Sequence, residues 1–418
     1  MASVGEVDVP DDIWLTIYSH VPFQTIFAHR LACKRFWALI HKAIVSLEVK
    51  IDAPPEGFWR TVSECEKLSS FVVRRRKNGL EPEAQRRLAR ALLSRELQPS
   101  LLSLSGQRIN AEHMADMLKA LVSVNTLSTL DLAFNDLSRF SSFCSSSTRL
   151  PGLSSLNLTG TQLGDPELAA LATAVADHCS TSLTQLNISW NRLSNVGPLC
   201  DVLPSCPNLT DLNLSRNKLG DSGAETLSAT LPQCTNLSRL NLSHTSLTND
   251  GFRFLSAGLC LCPSLTELDV SFNHGTSQGA EALSEALLQC SQLGHLNLSY
   301  NCFRPRGIRS VAMALPPTLF SLNIAATRTG DVGIASVSDV LPSCPSLTEL
   351  NLSRNWIGDS GAQVLCVALP QCSSLTRLNL SGNRSMFESA ATALDTVRRE
   401  GLEINLANTA LPSTVVSA

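Results

Sequence analysis

The sequence predicts an α/β solenoid, with short parallel strands on a concave face, helices on the convex face and a small three-helix motif at the N-terminal end. Three observations predict it. One leucine pattern recurs between about residues 100 and 410. The second half of each copy changes its hydrophobic period from that of a strand to that of a helix. The first forty or so residues do not fit the repeat at all. Composition agrees: of 418 residues 44% are apolar and 17% charged, enough to bury a sizeable core. Aromatics are scarce at 5%, and Leu fills the gap. A core drawn so heavily from one side-chain type points to repetition.

The pattern is LxxLxLxxN. Leu127-Leu130-Leu132-Asn135, Leu209-Leu212-Leu214-Asn217, Leu293-Leu296-Leu298-Asn301 and Leu375-Leu378-Leu380-Asn383 are four of the copies. Successive copies are usually 28 residues apart, sometimes 26 and once 30. The LxL core alternates with period two, which predicts a short strand with Leu pointing inward. Downstream, Gly223-Ala224, Leu227 and Leu231 fall on one face of a helix. Strands stack ~4.8 Å apart, whereas helices need ~10 Å. The helical side must therefore fan out, and the array is expected to curve into a horseshoe. The Asn after each strand is expected to bond buried turn backbone. Thr161, Thr245, Thr327 and Thr409 replace it with another hydrogen-bonding oxygen.

These motifs resemble the leucine-rich repeats, in their long ribonuclease-inhibitor-like class. Residues 9–40, VPDDIWLTIYSHVPFQTIFAHRLACKRFWALI, resemble a second family, the F-box. That three-helix motif has a leading Leu-Pro, apolar spacings, a central Pro and a Val-Cys-Lys/Arg-x-Trp/Phe ending. Val9-Pro10, Ile13, Ile17, Val21-Pro22, Ile26 and Ala32-Cys33-Lys34-Arg35-Phe36 follow it, with Val9 for Leu and a polar His29 as departures. The alternative reading of this segment is an N-terminal cap on the first repeat. Leu47 to Ile51 alternates like a strand. Residues 68–73 read as a degenerate first repeat, and Pro82 to Leu97 as a helix with Pro at its start. The domains expected are thus 1–50, F-box-like; 51–100, a joint; and 101–418, the solenoid. The basic run Arg74-Arg75-Arg76-Lys77 reads as a solvated loop.

Several function classes are disfavoured. A net charge of −3 argues against a nucleic-acid binder. No apolar run is long enough for a membrane span, and the acidic start MASVGEVDVPDD has no apolar core of a secretory signal. A cytoplasmic or nuclear protein with reduced cysteines is therefore expected. Cys206, Cys234, Cys262, Cys290, Cys344 and Cys372 all sit three residues before a strand's first Leu, which predicts a buried structural position. No metal site is expected, because Cys260-x-Cys262 has no matched partner. The sequence contains no G-x-x-x-x-G-K-[ST], H-E-x-x-H or G-x-S-x-G, so neither an enzyme nor a cofactor is expected.

What varies is the concave face. Its central row is nearly monotonous, as in Asn213, Asn241 and Asn297, and reads as structural. Charged residues and aromatics flank it. Trp190, Arg216, Arg239, Glu267, Phe272, His295 and Tyr300 are the candidate partner-binding residues, since Trp, Tyr and Arg dominate binding hot spots. The F-box resemblance implies a substrate-recognition subunit of a cullin–RING ubiquitin ligase, with a Skp-family adaptor and a protein substrate as partners. Pro10, Ile13, Ile17, Val21, Pro22, Ile26 and Phe36 would then fill the adaptor groove or the motif's own core. Two other readings are a binding scaffold or inhibitor like the ribonuclease inhibitor, and a Ran-type GTPase-activating protein. The modest charge counts against the first, and the short uncharged end Leu406 to Ala418 against the second.

Overall fold

A computed structural model describes residues 46–49, 70–73, 81–93, 98–121, 124–139, 152–397 and 399–410. The chain divides into two compact units, one of residues 1–163 and 173–183, the other of 164–172 and 184–418. In the first, β1 (Ser46–Val49), β2 (Ser70–Val73), β3 (Leu101–Ser103), β4 (Thr129–Asp131) and β5 (Ser155–Asn157) pair in parallel in chain order. β1 and β2 are the strand and the degenerate repeat read from the sequence. The helix Pro82–Leu93 starts at its proline as expected, and residues 94–97 lie outside the described residues. With Ala111–Leu121 it buries Leu88, Leu92, Met114 and Met117, and on the strand side Phe71 and Leu102, with Leu104 just after β3, are buried too.

The second unit carries the candidate partner-binding residues from Trp190 to Tyr300. Its strands are β6 (Gln185–Asn187), β7 (Asp211–Asn213), β8 (Arg239–Asn241), β9 (Glu267–Asp269), β10 (His295–Asn297), β11 (Ser321–Asn323), β12 (Glu349–Asn351), β13 (Arg377–Asn379) and β14 (Glu403–Asn405). All pair in parallel in linear order, each residue opposite its equivalent in the next repeat, as Asp211 opposite Arg239. The central Leu of β6–β13 is buried and its two neighbours face away from the core, while β14 has a half-buried Ile404. The order is that of an open leucine-rich repeat solenoid, with helices between the strands. Each fully buried Leu contributes roughly 2 kcal/mol, and the core repeats one Leu set from coil to coil.

The helix Gly220–Thr230 is one residue shorter than its apolar pattern suggests. Leu231 opens a 3-10 turn, Leu231–Gln233, because Pro232 cannot continue an α-helix. The same Leu-Pro turn ends the helices before Cys206, Cys344 and Cys372. There the cysteine closes the corner: Cys234 Sγ lies 3.7 Å from the Thr230 carbonyl, and Cys372 Sγ 3.4 Å from that of Ala368. Burial pushes the Cys234 thiol up to about 11 and that of Cys262 to about 12, so these are inert thiols. The described cysteines are free, and among the described residues no His, Cys, Asp or Glu group could hold a metal ion.

Two polar devices join one coil to the next. The buried Asn after the strand reaches backward. Asn301 Nδ2 donates to the carbonyls of Leu298 and, one coil earlier, Val270, both at 3.0 Å. Its Oδ1 accepts the Gly275 amide at 3.2 Å. Where Thr stands instead, as at Thr245, the backward bond is absent: the hydroxyl keeps the local bond to Leu242, and the next coil's Asn273 Oδ1 accepts both the Thr245 amide and, at 3.4 Å, its hydroxyl. A second device reaches forward from the start of several helices. Asp221 accepts the Thr248 amide at 2.8 Å and its hydroxyl at 2.6 Å, capping the following helix, Asn249–Leu259. Gly251 lets it in, since a Cβ there would collide with Asp221 Oδ1. Asn249, Asp331 and Asp359 do the same for the helices that follow them.

Two outcomes are expected. Asn301→Ala leaves two carbonyls and an amide unpaired inside the protein and should lower unfolding free energy by ~2–4 kcal/mol. Asn301→Thr should lose only about half as much, because it keeps the Leu298 bond; denaturant titration of both variants checks this. The second outcome concerns acid. Burial opposes ionisation of Asp165, yet hydrogen bonds from Asn195 and Ser194 hold its carboxyl below the usual 3.8. A hydrogen bond from Ser389, with others from the Phe387 and Ala390 amides, holds Asp359 low as well. A carboxyl lowered by folding stabilises fully above its unfolded value, and that contribution disappears as pH falls through the folded one. Urea midpoints should therefore hold between pH 7 and 5 and drop below pH ~4, and the drop should shrink in Asp165→Asn.

Candidate functional site

In-register parallel pairing places equivalent residues about 4.8 Å apart, so each repeat position becomes a row along the sheet. Two rows matter. The first residue of each strand forms one, and with the row two residues on it floors a shallow groove of about 520 Å³. Asp211, Arg239, Glu267 and His295 lie in the first of these floor rows; Asn213, Asn241, Asp269 and Asn297 lie in the second. Arg239 is ion-paired with Asp211, and further along Arg377 with Glu349.

The Asn row does more than pave the floor. Asn213 Oδ1 accepts the Ser215 amide at 3.0 Å, and Asn241, Asn297 and Asn351 do the same two residues on. This bond bends the chain out of the strand. The residue reached after the bend has a positive φ: 54° at Trp190, 55° at Arg216 and His244, 54° at Phe272 and 55° at Tyr300. Bulky side chains rarely adopt that region, and each such residue costs on the order of 1–3 kcal/mol. The turn holds because each amide there donates to the next coil, as Trp190 to Ser215 at 2.8 Å and Phe272 to Ser299 at 2.9 Å.

The second row is therefore a ladder of flat side chains along the C-terminal edge of the strands. The strand spacing is close to a stacking distance, and the rings use it. His244 stacks on Phe272 and Phe272 on Tyr300, each with centroids 4.0 Å apart and planes within 13°. The Arg216 guanidinium lies 4.9 Å from the centre of the Trp190 ring. Burial, then the charge of Arg216, lowers the His244 pKa, so this ring is neutral at pH 7. The outer surfaces stay open: Trp190 is 57% exposed, Phe272 and Tyr300 39% each.

The seven residues singled out in the sequence thus fall into two groups. Arg239, Glu267 and His295 line the groove. Trp190, Arg216, Phe272 and Tyr300 do not project from the strands; they sit on the turns beyond them. Sequence reasoning passed over His244 as a partner-binding residue, although it links Arg216 to Phe272 in the ladder. Its signal was its position, 28 residues after Arg216 and 28 before Phe272. Pro10, Ile13, Ile17, Val21, Pro22, Ile26 and Phe36 lie outside the described residues.

The leucine-rich repeats are confirmed by comparison with known proteins. The family model described as Leucine Rich repeat matches residues 179–197, 205–228, 233–256, 261–284, 343–366 and 371–384. Among solved structures, an internalin, inlF, of Listeria monocytogenes is similar with a TM-score of 0.50 and 17% identity, over 81% of this chain and 87% of that one. The Rad7 and Elc1 complex of yeast matches with a TM-score of 0.47 and 18% identity, over 76% and 86%. No curated protein matches the sequence. The chain is a leucine-rich repeat scaffold for protein interaction, and among the described residues no helix is long and apolar enough to cross a membrane.

Trp190→Ala and Tyr300→Ala should each weaken partner capture by ~1–4 kcal/mol, the range for an aromatic hot spot, with unchanged melting. Glu225→Ala, exposed on the helix Gly220–Thr230, is the control and should bind normally. Pull-down titration of the three variants reads the difference.

Proposed function

We propose that the chain is a substrate receptor of a cullin–RING ubiquitin ligase, with the groove and ladder of β6–β11 holding a protein substrate. The observation that supports the binding half of this reading is the exposed ladder from Trp190 to Tyr300. Flat apolar surface of this kind, rigidly mounted and left open, is what a protein partner buries. The ligase half rests on the resemblance of residues 9–40 to the F-box. In this reading the chain is not itself a catalyst. It supplies proximity, holding a substrate lysine near a charged ubiquitin carrier and so raising its effective concentration. The adaptor is bound by apolar packing of Pro10, Ile13, Ile17, Val21, Pro22, Ile26 and Phe36, and the protein works in the cytoplasm or nucleus.

Affinity capture of a purified Skp-family adaptor tests the ligase half. Wild type should retain the adaptor, whereas Ile17→Asp, or Pro10→Ala with Ile13→Asp, should lose it. A charge forced into an apolar contact costs several kcal/mol. Undiminished capture by both variants, with unchanged melting of the repeats, rejects the adaptor role and leaves a binding scaffold.

A further inference from the structure

Within the run β7–β13 one place breaks the repeat. The residue just before the strand is there typically a Thr or Ser whose hydroxyl donates to the preceding coil: Thr210 to Thr184, Ser238 to Thr210, Thr266 to Ser238, Thr348 to Phe320 and Thr376 to Thr348, all at 3.0–3.1 Å. Two consecutive coils depart from this, with Gly294 and Phe320. The departures belong together. A Cβ at Gly294 would lie 3.1 Å from the Phe320 ring, so the glycine makes room for the phenylalanine. Phe320 is 49% exposed and stacks on His295, centroids 6.3 Å apart, and His295 lines the groove. At the other edge of the same strands stand Phe272 and Tyr300. The groove between these edges carries the carboxylates of Asp211, Glu267 and Asp269 against one arginine, Arg239. That arginine is already paired with Asp211. Among the described residues no ion pair reaches Glu267 or Asp269: Glu267 feels Arg239 only through space, and Asp269 takes just the neutral donors Ser271 N–H, at 2.9 Å, and Asn297 Nδ2, at 3.0 Å.

We propose that β9–β11 bind an extended peptide segment of the partner that carries a Lys or Arg between two apolar residues. One apolar residue rests on Phe320 and the other on the Phe272–Tyr300 stack, with the cation at Glu267 and Asp269. Phe320 is level with Gly294 and Tyr300 lies six positions further along that coil, three of them strand, a span of at most ~20 Å, so an extended segment of about that many residues bridges the two edges. This deepens the reading of the concave face as the partner site and does not depend on the adaptor. The acidic floor selects the cation, and its contribution falls as salt screens it.

The test is a displayed random library of peptides of about twelve residues, panned on the full chain. The expected consensus is a basic residue flanked on both sides by apolar ones. A synthetic peptide of that consensus should bind Phe320→Thr about tenfold more weakly. That variant carries the residue of the neighbouring repeats and should melt as wild type does. Glu267→Gln should weaken binding too and flatten its salt dependence. Failure to enrich any peptide, an acidic consensus, or full affinity in Phe320→Thr each overturns the proposal. If Trp190→Ala abolishes partner capture while Phe320→Thr leaves it intact, this inference fails and the receptor reading stands.

Discussion

The second unit depends on a side-chain amide that recurs after most of its strands, at Asn191, Asn217, Asn273, Asn301, Asn355 and Asn383. Beyond a three-residue strand only every second amide of the turn, as at Leu214 and Arg216, still bonds the next coil, and carbonyls such as those of Ile188 and Leu214 lie outside that ladder. An asparagine solves this because it is both donor and acceptor. Asn217 Nδ2 serves the carbonyls of Leu214 and Ile188 while Oδ1 takes the Leu193 amide. Leucine packing is non-directional and would tolerate a slipped coil, whereas these bonds fix register as well as distance. Everything on the accessible face inherits that register. The floor rows, the bend after each strand and the stacked rings all need equivalent residues to stand opposite one another.

Fold and site were unequally legible in the sequence. Periodicity betrays strands and helices directly, so the repeat, the inward leucines, the buried asparagines and the helix beginning at Pro82 could all be read. Backbone handedness leaves no such trace. Nothing about Trp190, Phe272 or Tyr300 announces a positive φ, and these residue types argue against one. It is imposed by the asparagine, or for Phe272 the aspartate Asp269, three residues earlier and by the amide bond to the next coil, so the edge ladder was taken for a row on the strands. The aspartate caps were also missed. Asp221 looks like an ordinary first-turn acid of its own helix, and its attachment to Thr248 appears only when coils are stacked. The Gly294 and Phe320 pair was visible only as two ordinary residues until the ring was found lying over the glycine.

The division of the face into floor and edge assigns different work to each. The floor is polar, and its arginines Arg239 and Arg377 are held by the acids of the preceding strands, Asp211 and Glu349. It discriminates by charge and contributes little bulk affinity. The edge is flat, apolar and rigid, with little rotamer entropy left to lose on contact. A surface built this way separates tightness from selectivity, and either can change without disturbing the other.

The paired fastening of the coils also bears on how the protein is made. Each asparagine completes a turn that already exists behind it, while each aspartate waits for a helix that has yet to arrive. During synthesis a newly emerged coil therefore finishes its predecessor at once. Groups of its own turn, such as the Val270 carbonyl and the Gly275 amide, and its forward-facing carboxylate stay open until the next coil arrives. At every moment the growing solenoid has one unfinished end and no unfinished middle. A long chain of similar coils can thus be laid down in order, with the ribosome's direction matching the direction in which the joints close.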